Sequence, residues 1–227
     1  MQDVVHAMYE KDQVRAVELL NNASEELAES TLSPDEHLAA EYLISRQRFA
    51  VTRAFSPREE VQLAFTRVLR EVGSAPLGPA SEVTQCIVMI QILTIGERLG
   101  LSEFSTEKFH ELFDAIPAAE RDDMLWHHVA TWAFSHWDSE VMAQAYENLV
   151  IKPTDFRDQY PYHRANLLHR LITGRATSRD IQTFLGRLEI VNEILEFERH
   201  ILPRVRELNL ADAEVELLVA KTRQRLE

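Results

Sequence analysis

One cysteine in 227 residues, Cys86, has no second thiol to pair with. A disulfide framework and a zinc site built from several thiolates are thereby excluded. Glycine and proline are scarce, at 6 and 8 residues. Few windows alternate with period two and no Asn-Gly or Asp-Gly hairpin turn occurs, so strands are not expected. No run of about 18 apolar residues stands out, and Met1-Gln2-Asp3 is too polar to open a signal peptide. A cytoplasmic protein with no membrane partner is the resulting expectation. Catalytic signatures are missing too: there is no glycine-rich phosphate loop, no Gly-x-Ser-x-Gly elbow and no His-Glu-x-x-His. The reading is therefore non-enzymatic, with no cofactor and no bound metal.

Basic residues are outnumbered, 24 against 37, for a net charge of −13 and a pI near 5.2. Such a surface repels phosphate backbones, so no nucleic-acid partner is expected, and a protein or peptide partner would be basic. The excess is uneven. Residues 1–40 hold 2 basic and 9 acidic side chains and 81–160 hold 5 and 14, whereas 161–227 hold 11 and 10.

Helix signals dominate. Ser33-Pro34-Asp35-Glu36 and Ser56-Pro57-Arg58-Glu59 both read as capped helix starts, with Pro where its missing donor is harmless and Glu closing a capping box. They predict helices over 34–53 and 57–72, joined so tightly that the pair packs antiparallel. Short helices are predicted at 2–9 and 12–28, the latter with Val14, Val17, Leu20, Ala23 and Leu27 on one apolar face. After the breaker run at 73–80, the helix at 80–99 is apolar all round (Val83, Cys86, Ile87, Val88, Met89, Ile90, Ile92, Leu93, Ile95), the mark of a central core element. Gly100 is its natural stop. Further helices are predicted at 105–115, 118–135, 139–151, 162–173, 178–201 and 205–225, with Pro203 ending or kinking the one before it and 152–161 irregular. The fold class is all-α: serial antiparallel hairpins of about nine to eleven helices, as an α-solenoid or an irregular bundle. One domain over 1–227 is expected, with a subdomain boundary at 73–80.

Ala16, Leu20 and Ala23 have the small-large-small spacing of the second helix of a tetratricopeptide repeat, and Ala64 and Val68 repeat part of it. Over residues 1–72 the chain thus resembles a tetratricopeptide-type array. Glu71 breaks the third position, the two echoes lie 48 residues apart instead of 34, and no Trp-x-x-Leu-Gly-x-x-Tyr element accompanies them. The resemblance implies a curved scaffold that holds a partner peptide or helix.

Several residue groups invite a site. Ile95–Ser102 followed by Glu103–His110 resembles a helix-turn-helix, but Glu103, Glu107, Glu111 and Asp114 against Lys108 give the second helix the wrong charge for DNA. Glu107-x-x-His110 has di-iron spacing but no second such element exists. His110, His127 and His128 mark the alternative reading, a helical-bundle enzyme or sensor that holds a small ligand or metal. Trp126, Trp132, Trp137, Tyr160 and Tyr162 form an aromatic region that serves either the core or a partner. Arg46 and Arg53 share a helix face with Phe49 in a basic patch, with Arg48 among its members, that meets either an acidic motif or phosphate or, in salt bridges, the acidic N-terminal helices. The last two helices (Leu188, Val191, Leu195, Leu202, then Leu208, Val215, Leu218) can close the core or form a homodimer, which would make the protein a dimeric helical regulator. The leading expectation is a protein-binding adaptor whose inter-helix groove holds a partner peptide or helix.

Overall fold

The structure, a computed structural model, describes residues 2–151, 160–188 and 191–226. Among these every regular element is helical, as the sequence predicts, and none is a strand. The chain divides into two compact units, Met1–Glu120 and Arg121–Glu227.

The first unit holds α1 (Gln2–Tyr9), α2 (Gln13–Ala28), α3 (Pro34–Phe55), α4 (Arg58–Val72), α5 (Pro79–Leu99) and α6 (Thr106–Asp114). Successive helices pack as hairpins, and α3 also lies along α5. The first expected capping box forms: Glu36 N donates to Ser33 Oγ while Ser33 N donates to Glu36 Oε2 at 3.0 Å. The second does not. Only Ser56 and Pro57 separate α3 from α4, and Ser56 N donates to Thr52 O at 2.9 Å. Ser56 therefore closes α3, and α4 starts after Pro57 with no side-chain cap.

The breaker run at 73–80 lies inside the first unit and is pinned from two helices. Gln85 of α5 donates to Val72 O and Ser74 O, and Tyr42 of α3 donates to Ser74 O. Asp35, in the first turn of α3, accepts from the backbone N of Ala80 and Ser81 at 3.0 Å and from the Ser81 hydroxyl. The cap of α5 thus comes from a neighbouring helix. Eleven residues further along both helices, Arg46 Nη1 donates to Gln91 Oε1 at 2.7 Å. Asp35–Ala80 and Arg46–Gln91 share a sequence offset of 45, so α3 and α5 run parallel and in step.

Between them and α4 lies a core of Tyr42, Phe49, Val61, Phe65, Val68, Val72, Val88, Ile92 and Ile95, with Leu93 half-buried against it. Helix α5 is the central apolar element expected. It is also long and apolar enough to cross a membrane by length and composition, which corrects the expectation that no window would qualify. Packing explains it, because an inner helix with neighbours on several sides carries apolar residues all round. Gly96 on α5 meets α4 so closely that a Cβ there would lie 2.4 Å from the Phe65 ring. Gly100 ends α5 in the left-handed region, φ 67°, with Leu101 N bonded to Gly96 O at 2.8 Å.

The second unit holds α7 (Asp123–Ser135), α8 (Ser139–Tyr146) with a π-helical turn at Glu147–Ile151, α9 (Tyr160–Ile172) and α10 (Ser178–Leu185). Then come α11 (Val191–Glu196), a second π turn at Phe197–Ile201, α12 (Leu202–Glu207) and α13 (Ala213–Leu226). Four boundaries differ from expectation. The helix predicted at 118–135 is a 3-10 turn at Ala118–Glu120 and then α7, because Asp122 caps α7 by accepting from Leu125 N at 2.7 Å. The one predicted at 178–201 stops at Leu185, where Gly186 N closes on Gln182 O. Pro203 does not end its helix: the π turn just before it widens the spiral where a proline ring and missing N–H strain an α-helix. Asn209, at φ 56°, ends it instead, and Asp212 caps α13 through Val215 N. The irregular stretch expected at 152–161 falls, up to residue 159, outside the described residues.

Two substitutions test this packing. Gly96→Ala gains about 1 kcal/mol of helix propensity but overpacks Phe65 by about 1–3 kcal/mol, so urea unfolding should show a net loss that Phe65→Leu reverses. Hydrogen bonds from Ser81 hold the Asp35 carboxyl below its ordinary value of 3.8. The charged form is the bound one, so its stabilisation is full above that value and fades as pH falls through the depressed one. Asp35→Asn should therefore lower the melting temperature at neutral pH, with the gap to wild type closing in acid.

Candidate binding surfaces

Helix α7 carries most of the predicted aromatic region, and ten of its successive residues, from Leu125 to Phe134, are buried. Trp132 is fully buried and Trp126 nearly so, which assigns both to the core and removes them as partner contacts. Trp132 stacks on His136 at 4.6 Å, while His128 pairs edge to face with His127. Tyr160 and Tyr162, on α9, are half-buried, the first against Phe184 and the second against His163. Trp137 differs. It sits in the turn between α7 and α8 with φ 56°, a left-handed position usually filled by glycine. Its ring is 38% exposed, tilted on Phe134 and covered by the Arg204 guanidinium at 5.2 Å. Of the three tryptophans, Trp137 alone presents its ring to solvent.

The basic patch expected on α3 is mostly consumed by packing. Phe49 is buried, Arg46 and Arg53 are half-buried, and Arg46 holds Gln91 of α5. Arg48 reaches the Ser24 hydroxyl of α2 at 2.8 Å instead of an N-terminal carboxylate.

The second unit also buries a charge that sequence reading missed. Arg164 of α9 is 1% exposed; its Nη2 lies 3.0 Å from Glu196 of α11 and its Nη1 donates to Thr131 of α7 at 2.6 Å. Thr131 in turn donates to the His127 carbonyl. Glu193, His127 and His128 are buried beside these elements' seams. The signal was visible: Arg164 stands at helical spacing with Leu167, Leu168 and Leu171, on an apolar stripe. Arg164, Thr131 and Glu196 come from three different helices, so this cluster ties α7, α9 and α11 together. His110 lies on α6 of the first unit, and among the described residues no three His, Cys, Asp or Glu side chains converge as metal ligands. Burial, then the Glu82 carboxylate, pushes the Cys86 thiol up, which leaves it a poor nucleophile.

Two surfaces remain. On α2 the buried residues are Ala16 and Leu20, packed on Val4, Ala7 and Val51. Val14 and Val17, expected on that inner face, point outward, 69% and 41% exposed. The i, i+4 pair Ala16–Leu20 already covers the contact with α1 and α3, and the two valines lie off to its side. Their own stripe continues through Glu18, Asn21, Glu25 and Ala28, all exposed. Among the described residues Glu18, Glu25, Glu26 and Glu29 belong to no ion pair, while Arg15 is held by Glu10 at 3.2 Å. The second surface is a groove of about 490 Å³ in the C-terminal hairpin, floored by Leu202, Val219 and Ala220.

Comparison with known proteins gives no match: no family model, no curated protein and no solved structure resembles the chain.

Arg164→Met should destabilise the fold by about 3 kcal/mol in urea titration, because it removes one side of a buried charge pair beside the core. Adding Glu196→Met to that variant should recover much of the loss, which distinguishes a broken charge pair from lost packing.

Proposed function

We propose that this protein is a non-enzymatic binding module, and that the outer face of α2 docks a basic helix or peptide. The observation that supports the reading is the stripe Val14–Val17–Glu18–Asn21–Glu25, where exposed apolar side chains adjoin carboxylates that form no ion pair among the described residues. Valines supply the area that excludes water and the carboxylates select the partner's sign. In a chain of net charge −13, the same carboxylates also repel acidic competitors before contact. The spacing of Ala16, Leu20 and Ala23 belongs to the same proposal: α1 to α6 act as a short tetratricopeptide-like array whose hairpins hold α2 in place. Ala16 and Leu20 face inward as that role requires.

Affinity capture from source lysate, comparing wild type with two surface variants, tests the proposal. Glu18→Lys/Glu25→Lys removes the charge selection and Val14→Ser/Val17→Ser removes the apolar contact, both at exposed positions that leave the circular dichroism spectrum unchanged. Basic proteins retained by wild type should be lost from each variant, and should elute from wild type as salt rises. Identical captured sets for all three proteins would overturn the reading.

A further inference from the structure

The groove in the C-terminal hairpin carries an inference independent of α2. Its first wall is the helical run through the second π turn and α12, with Glu198, Leu202 and Arg206; its second is α13, with Glu216, Ala220 and Arg223. Each wall reads acid, apolar, base along the chain. The two run antiparallel, so opposite signs face each other: Arg206 grips Glu216 through two bonds of 2.7 and 2.9 Å, and Arg223 lies 3.2 Å from Glu198. An ion pair closes each end of the seam; between them Leu202 and Val219 form a buried floor and Ala220 lies exposed. Leu195 of α11 and Leu217 of α13 add exposed apolar side chains outside the groove's own lining.

A partner selected by charge gains little here, because every acid in the seam already has its base. What the pattern does complement is itself. Lay a second seam face to face on the first and rotate it by a half-turn about an axis along the helices: Glu198 comes over Arg223, Arg206 over Glu216 and Leu202 over Ala220. Rotation about the in-plane axis across the helices sets Glu198 over Arg206 and Glu216 over Arg223. Both two-fold arrangements place acid over base and apolar over apolar, which is the condition for an isologous contact. The overall charge points to the same face. Residues 1–160 carry 13 basic and 27 acidic side chains, so two copies repel each other there, whereas 161–227 are balanced at 11 and 10.

We infer that the seam between α12 and α13 docks a second copy of this chain, the two hairpins forming a four-helix bundle.

Sedimentation equilibrium of the full chain is the test, read against the single-chain mass of 26.2 kDa. Wild type should sediment at twice that mass; raised salt screens the repulsion between acidic surfaces and the acid-over-base contacts alike, so the doubled mass should persist. Ala220→Glu, at an exposed position in the middle of the seam, should give single chains with an unchanged helical spectrum. Leu217→Lys, outside the groove's lining, should weaken the dimer at least tenfold. Reversing both walls' acids together (Glu198→Arg/Glu216→Arg) sets like charges over each other in either arrangement and should also give single chains. A wild type that is monomeric at every concentration, or a dimer indifferent to Ala220→Glu, overturns the inference. Neither result touches the α2 reading, whose variants lie in the first unit.

Discussion

Helix α5 is apolar on every side, and a helix of that kind has to be surrounded. The first unit is organised by that demand. Hydrophobic burial supplies the driving force but no direction, since one apolar flank of α5 packs about as well as another. Direction comes from two polar ties, Asp35 to the first turn of α5 and Arg46 to Gln91, which share one sequence offset and so hold α3 and α5 parallel and in step. With the register set, Gly96 falls against Phe65, where no larger residue fits. Tyr42 and Gln85 then clamp the chain reversal after α4.

The second unit solves a related problem with a buried charge. Three helices meet where Arg164 reaches Thr131 and Glu196, and a guanidinium offers its donors in a fixed planar fork. Such a group tolerates few alternative packings. Its worth is therefore in choosing one arrangement among several of similar apolar content, since a well-packed hydrophobic replacement can equal it in stability.

Much of the fold was legible in the sequence, for local reasons. Ser33, Pro34 and Glu36 state a helix start within four residues, and α5 announces its central place by lacking a polar face. What escaped reading depended on distant residues. Ser56 repeats the motif of Ser33, yet its backbone is taken by α3, so the same letters close one helix while the next starts without a side-chain cap. Pro203 reads as a stop or a kink, but a widened turn ahead of it absorbs the missing donor. Tryptophans spaced for either core or partner were divided by neighbours: Trp126 and Trp132 inward, Trp137 outward. The apolar side of α2 was misjudged by its two outermost members, Val14 and Val17, because periodicity cannot say how wide a stripe the adjoining helices cover.

The lone thiol has a practical consequence. Cys86 is buried in α5, and its surroundings disfavour the thiolate that alkylating reagents attack. Modification of the native protein therefore waits for α5 to separate from its neighbours, and its rate becomes a clock for the opening of the first unit. Because no other cysteine exists, the second unit can come and go without advancing that clock. One unmodified chain thus carries its own means of asking whether its halves unfold together or in turn.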